Sequence, residues 1–95
     1  MMEYEVVDED GYVMIEISMK NRLIVQDYIG TKEKAESYFK EYLKGLELQL
    51  FDILGVKEWW ITDSEGMVIE GAFYDYQKAN EILLLLKGMH PTVSS

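Results

Sequence analysis

The chain's only histidine, His90, stands next to Pro91 near the C-terminal end, and no residue pattern around it supplies the acidic partner that would orient a general base. It reads as a polar tail residue. There is no cysteine, which removes thiolate nucleophiles, thiolate metal sites and disulfides together. The densest carboxylate run, Asp8-Glu9-Asp10, could in principle hold a hard cation, yet it lacks the alternating ligands and later glutamate of a calcium loop. It reads as a solvated acidic turn, and neither a metal nor a cofactor is expected. The seven glycines stand singly, so no glycine-rich phosphate loop is present. With no constellation for general acid/base, nucleophilic or metal chemistry, the expectation is that the protein is not an enzyme.

Recognition is the chemistry that remains. Eighteen acidic residues against nine basic ones give a formal net charge of -9, which repels phosphate backbones and anionic lipid surfaces. Direct nucleic-acid and membrane binding are therefore disfavoured, and a basic protein partner is favoured. Glu3, Glu5, Asp8, Glu9 and Asp10 make the N-terminal end the most negative stretch. No apolar run approaches the roughly 20 residues of a membrane span, and an acidic N-terminus is unlike a secretory signal. A soluble, cytoplasmic protein is expected.

The elements that must position these side chains show a repeat. Val13 to Tyr42 and Lys57 to Leu86 follow the same order of strand, turn, strand and helix at a constant offset of residue numbers. The match lies in periodicity, not in shared letters. Tyr4 to Val7 reads as a short strand ahead of the acidic turn. Tyr12 to Met19 alternates as a one-sided strand does, and Leu23 to Tyr28 follows the Lys20-Asn21-Arg22 turn. Thr31 is placed to cap a helix starting at Lys32. The apolar stripe of Ala35, Tyr38, Phe39, Tyr42, Leu43, Leu46, Leu50 and Leu54 extends this helix to Leu54, with a kink at Gly45 and a stop at Gly55. Val56 to Thr62 and Met67 to Phe73 form a hairpin around Asp63-Ser64-Glu65-Gly66. Asp75 caps a second helix, closed by Gly88 and Pro91. Its Leu83-Leu84-Leu85-Leu86 run calls for cover on more than one side.

The resulting fold class is α+β, with tandem hairpin–helix units ordered (β)ββα-ββα in a single domain over residues 1–95. Residues 3–54 form the first unit, 56–88 the second and 89–95 a tail. A mostly antiparallel sheet of four to five strands is expected, with both helices on one face. Ile15, Ile17, Val25, Trp59, Ile61 and Ile69 then face the helices. The other face carries Tyr12, Met14, Ile24, Tyr28, Trp60 and Val68 among Glu16, Glu58 and Glu70. An aromatic, half-apolar and acidic face of this kind marks an interface. The candidate partner-binding residues are accordingly Tyr12, Met14, Glu16, Tyr28, Glu58, Trp60 and Glu70.

Residues 3 to 44, through the opening strands, the acidic turn and the helix start Gly30-Thr31-Lys32-Glu33-Lys34-Ala35, resemble the strand-and-helix portion of HicB-type antitoxins. The proline- and cysteine-containing loop of that family is missing, and the later hairpin and helix do not match its DNA-binding element, so no membership follows. Small acidic phage inhibitors, anti-CRISPR proteins among them, share the size and charge without a motif. The functional expectation is an acidic inhibitor that covers a basic, nucleic-acid-binding surface of a larger protein, in the manner of a phage anti-defence protein or an antitoxin. The alternative is a homo-oligomeric structural or regulatory module, a homodimer in the simplest case.

Overall fold

The computed structural model describes residues 2–88. The tail expected over 89–95, with His90 and Pro91, lies outside the described residues. The elements run β1 (Met2–Glu9), β2 (Tyr12–Met19), β3 (Arg22–Tyr28), α1 (Ala35–Lys44), β4 (Glu47–Ile53), β5 (Val56–Thr62), β6 (Val68–Phe73) and α2 (Tyr76–Leu86). A short 3-10 turn over Lys32–Lys34 leads into α1. The α+β class holds, but the single sheet of four to five strands does not. There are two antiparallel three-stranded sheets, ordered β1-β2-β3 and β4-β5-β6. The chain divides into two compact units with the boundary between Glu41 and Tyr42.

The second correction concerns the long helix. It ends at Lys44, and residues 47–53, read as its continuation, are the strand β4. The last turn tightens as Gly45 N–H donates to the Tyr42 carbonyl and Leu46 N–H to the Leu43 carbonyl. A side chain at Gly45 would stand 3.2 Å from Ser64 Cβ, so the chain turns there against the β5–β6 loop. Leu48 and Leu50 then stand opposite Ile61 and Trp59 in the ladder. Leu46, Leu48 and Leu50 satisfy a period of two as well as a helical stripe, and pairing with β5 decides in favour of the strand.

Three two-residue reversals set the registers, at Asp10-Gly11, Lys20-Asn21 and Leu54-Gly55, each with both residues at positive φ. This is the type I′ geometry whose twist matches that of the flanking strands. Asp8 Oδ1 accepts from Gly11 N–H at 3.2 Å, and Asp52 Oδ1 accepts from Gly55 N–H at 3.0 Å, so the two turns are braced alike. The repeat is thus one strand longer than the hairpin–helix motif, since a three-stranded meander followed by a helix occurs twice along the chain.

In the first unit Val13, Ile15, Ile17 and Met19 of β2 are buried with Ile29 and Ala35. Tyr4 of β1 packs against Phe39 of α1, ring centres 4.8 Å apart and planes tilted by 41°, and the Tyr38 hydroxyl donates to Asp27 Oδ2, which fixes the helix side of this sheet. In the second unit Leu46, Ile61, Ile69, Ala79 and Leu86 are buried, and α2 packs on all three strands. Trp59 meets Tyr76 of α2 edge-on at 4.9 Å, as its expected inward orientation requires. Each fully buried aliphatic side chain contributes about 1.5–3 kcal/mol. Asp75 caps α2 as expected, accepting from Gln77 N–H, whereas Thr31 makes no side-chain cap bond. Leu83 to Leu85 are half-buried and Leu86 is buried, so the leucine run is covered within the chain. No helix among the described residues is long and apolar enough to cross a membrane.

Candidate functional site

Opposite residues in an antiparallel ladder share a face, so the register shows what the open side of the first sheet carries. Glu3, Glu5, Val7 and Glu9 of β1 stand opposite Ser18, Glu16, Met14 and Tyr12 of β2. Met14 and Glu16 in turn face Tyr28 and Gln26 of β3. This side therefore gathers Glu3, Glu5, Glu9 and Glu16 around Tyr12, Met14 and Tyr28. Glu16 Oε2 accepts from the Gln26 amide at 2.9 Å. Glu5 stands directly opposite Glu16, an arrangement of like charges that works against folding.

At the end of the sheet nearest the β1–β2 turn, a concavity of about 550 Å³ is lined by Glu9, Asp10, Tyr12, Met14 and Tyr28. The two tyrosine rings lie 6.0 Å apart at 64° to each other and are 66% and 59% exposed. Tyr12 and Met14 project to the same side because they are two residues apart on one strand, and Tyr28 joins them as the partner of Met14. Asp10 reaches the rim because the left-handed turn places it there. Four residues of the expected interface, Tyr12, Met14, Glu16 and Tyr28, thus lie on one acidic and aromatic face.

The other three sit on the second unit. Gln49, Phe51 and Ile53 of β4 oppose Trp60, Glu58 and Val56 of β5, so one face of this sheet carries Phe51, Ile53, Val56, Glu58 and Trp60. Trp60 Nε1 donates to Glu58 Oε1 at 3.1 Å, and the Tyr74 hydroxyl lies 3.5 Å from Glu58 Oε2. Glu58 therefore holds the indole in place, a role its residue type alone does not reveal. Glu70 stands opposite Ile61 in an irregular stretch of the β5–β6 ladder and is half-buried. Of the seven expected interface residues, Tyr12, Met14, Glu16 and Tyr28 share a face of the first sheet and Glu58 and Trp60 a face of the second, while Glu70 pairs with the buried Ile61 and does not join them.

Sequence reasoning missed the β4–β5 tip, where Leu50, Phe51, Ile53, Leu54 and Val56 are all exposed and Leu54 is 99% exposed. Leu54 also holds φ at 53°, a region that a leucine side chain disfavours. The signal that could have found it is Asp52-Ile53-Leu54-Gly55, which repeats the Asp-x-x-Gly spacing of Asp8-Glu9-Asp10-Gly11. Among the described residues no group of three or more His, Cys, Asp or Glu side chains is placed to hold a metal ion. No protein-family model matches the chain, and neither the curated proteins nor the solved structures include a match to it.

Proposed function

We propose that this chain is a non-enzymatic binding protein that covers a basic, nucleic-acid-binding surface of a larger protein and so inhibits it. The observation that carries the reading is the open face of the first sheet, where Glu3, Glu5, Glu9 and Glu16 surround exposed Tyr12 and Tyr28 on a chain of net charge -9. Carboxylates on such a face take the positions at which a partner's Lys and Arg meet phosphates, and the aromatic rings supply desolvated contact area. Trp60, held by Glu58, gives the second sheet an aromatic of its own.

The test is displacement of labelled duplex DNA, followed by fluorescence anisotropy, from a panel of basic DNA-binding proteins. At least one member is expected to release DNA in proportion to added chain, less strongly as salt rises. The combined change Glu16→Lys and Glu58→Lys is expected to weaken that release by about tenfold or more. Absence of displacement across the panel, or salt-insensitive displacement that survives the double change and Trp60→Ala, would overturn the reading.

The exposed apolar tip favours a second reading, in which copies of the chain associate through β4, an edge strand of its sheet. Leu54→Asn should then abolish a concentration-dependent rise in molar mass measured by light scattering. A strictly monomeric protein at high concentration would remove this alternative. Independently of association, Leu54→Asn is expected to raise stability by about 0.5–1 kcal/mol in urea unfolding, since asparagine tolerates the left-handed turn and almost none of the leucine is buried.

A further inference from the structure

We propose that the concavity between Tyr12 and Tyr28 is a receptor for the guanidinium group of an arginine side chain presented by the basic partner, an inference that rests on the binding function proposed above and specifies where it acts. Its surface is mostly apolar, from Tyr12, Met14 and Tyr28, and Glu9 and Asp10 complete the lining with carboxylates at its acidic end. The two rings meet each other edge to face at 64°, which leaves an outer π-face exposed beside the concavity, and the face of a phenol attracts a flat cation laid on it. Neither Glu9 nor Asp10 has an ion-pair partner among the described residues, so their acceptor oxygens remain open to a ligand.

Charge complementarity makes the occupant a cation, and the shape of the lining selects arginine over lysine. Guanidinium is planar, weakly hydrated and able to stack on an aromatic ring while its edge donates to carboxylates. A lysine ammonium is a compact, strongly hydrated charge that would surrender more of its hydration against Tyr12, Met14 and Tyr28 and gain no stacking. At about 550 Å³ the concavity accommodates the guanidinium and part of its alkyl stem without any movement of the sheet. Lys34 brings a positive charge to the Tyr28 side, since its Nζ, like the Tyr28 hydroxyl, lies 4.0 Å from the position a Cβ on Gly30 would take. That charge opposes a second cation nearby, so Lys34→Gln should strengthen binding.

The experiment is a titration of the full chain with the short peptide Gly-Arg-Gly-amide, read from the ring-proton NMR signals of Tyr12 and Tyr28, with the Lys, trimethyl-Lys and Glu analogues in parallel. The arginine peptide is expected to shift both rings saturably, with an affinity at least about threefold above the lysine peptide and no effect from the glutamate peptide. The combined Glu9→Gln and Asp10→Asn change should weaken binding about tenfold, and asparagine suits the left-handed backbone at position 10. Tyr12→Leu should abolish the shift of Tyr28, with far-UV circular dichroism confirming that each variant is folded. Unshifted rings, or stronger binding of lysine or trimethyl-lysine, would overturn the assignment. If DNA displacement succeeds while the rings stay unshifted, the inhibitory reading stands and the arginine site falls. If the rings shift and no DNA-binding protein is displaced, the site stands and the inhibitory reading falls.

Discussion

Asp63→Ala is expected to lower the unfolding free energy by about 3 kcal/mol, a shift in Tm of roughly 15 °C for a chain of this size. Asp63 is 6% exposed and closes the β5–β6 loop with both oxygens. Oδ1 accepts from Glu65 N–H and Met67 N–H, each at 2.9 Å, and Oδ2 accepts from the Tyr42 hydroxyl at 2.9 Å. Alanine would leave these donors to find water or stay unpaired, and an orphaned donor loses far more than a bond exchanged with solvent. Asp63→Asn keeps an acceptor for the two backbone groups, and the Tyr42 hydroxyl can rotate to receive the new amide; a loss of about 1 kcal/mol is expected. Tyr42→Phe removes a single donor and should fall in the same range. Urea unfolding followed by tryptophan fluorescence measures all three. Equal losses for Asp63→Ala and Asp63→Asn would show that the carboxylate's charge, not its acceptor geometry, organises the loop.

That network explains both what could be read from the letters and what could not. The Asp63-Ser64-Glu65-Gly66 turn was legible because an Asp-x-x-Gly loop between two alternating runs has a local mechanism, and Gly66 takes the positive φ expected of it. The buried status of Asp63 was not legible, because it depends on Tyr42 arriving from a helix 21 positions away in the chain. The same limit applies to residues 46–54. Their leucines fit both periods, and only the ladder with β5 selects the strand. Leu54 also disguised the turn, for it occupies the position that Asp10 holds in the first unit and is the last residue type that turn chemistry would nominate there. Read as Asx-braced turn ends like Asp8 and Gly11, Asp52 and Gly55 extend the repeat by one strand and end the helix at Gly45. The open face of the first sheet was legible because strict alternation in β2 fixes which side each residue takes. The concavity at its end was not, since Glu9 and Asp10 join Tyr12 and Tyr28 only through the left-handed turn.

Gly71→Ala is expected to cost about 2–3 kcal/mol and to shift tryptophan emission to longer wavelength, because the fixed indole of Trp60 occupies the space a side chain would need. A Cβ on Gly71 would lie 2.5 Å from Trp60 Cε3 and 2.7 Å from Cδ2, and the glycine holds φ at 151°. Both ring atoms belong to the fused core of the indole, which cannot yield as a flexible chain end would. The Nε1–H bond to Glu58 Oε1 resists rotation of the ring as a whole. The β5–β6 ladder is irregular here, between Trp59 and Ile61, and the indole covers the glycine left exposed on an edge strand. Two contributions are combined in the loss, backbone strain at φ 151° and collision with the ring, and a double-mutant cycle separates them. In a Trp60→Ala background the collision with the ring disappears and only the tighter-than-usual 3.2 Å approach to the Trp59 carbonyl and the backbone strain remain, so Gly71→Ala should then cost only about 1 kcal/mol. An undiminished loss in that background would place the whole effect in the backbone and leave Trp60 as a bystander. A diminished one would show that close approach of Gly71 to the indole of Trp60, and not backbone strain alone, makes glycine necessary at this position.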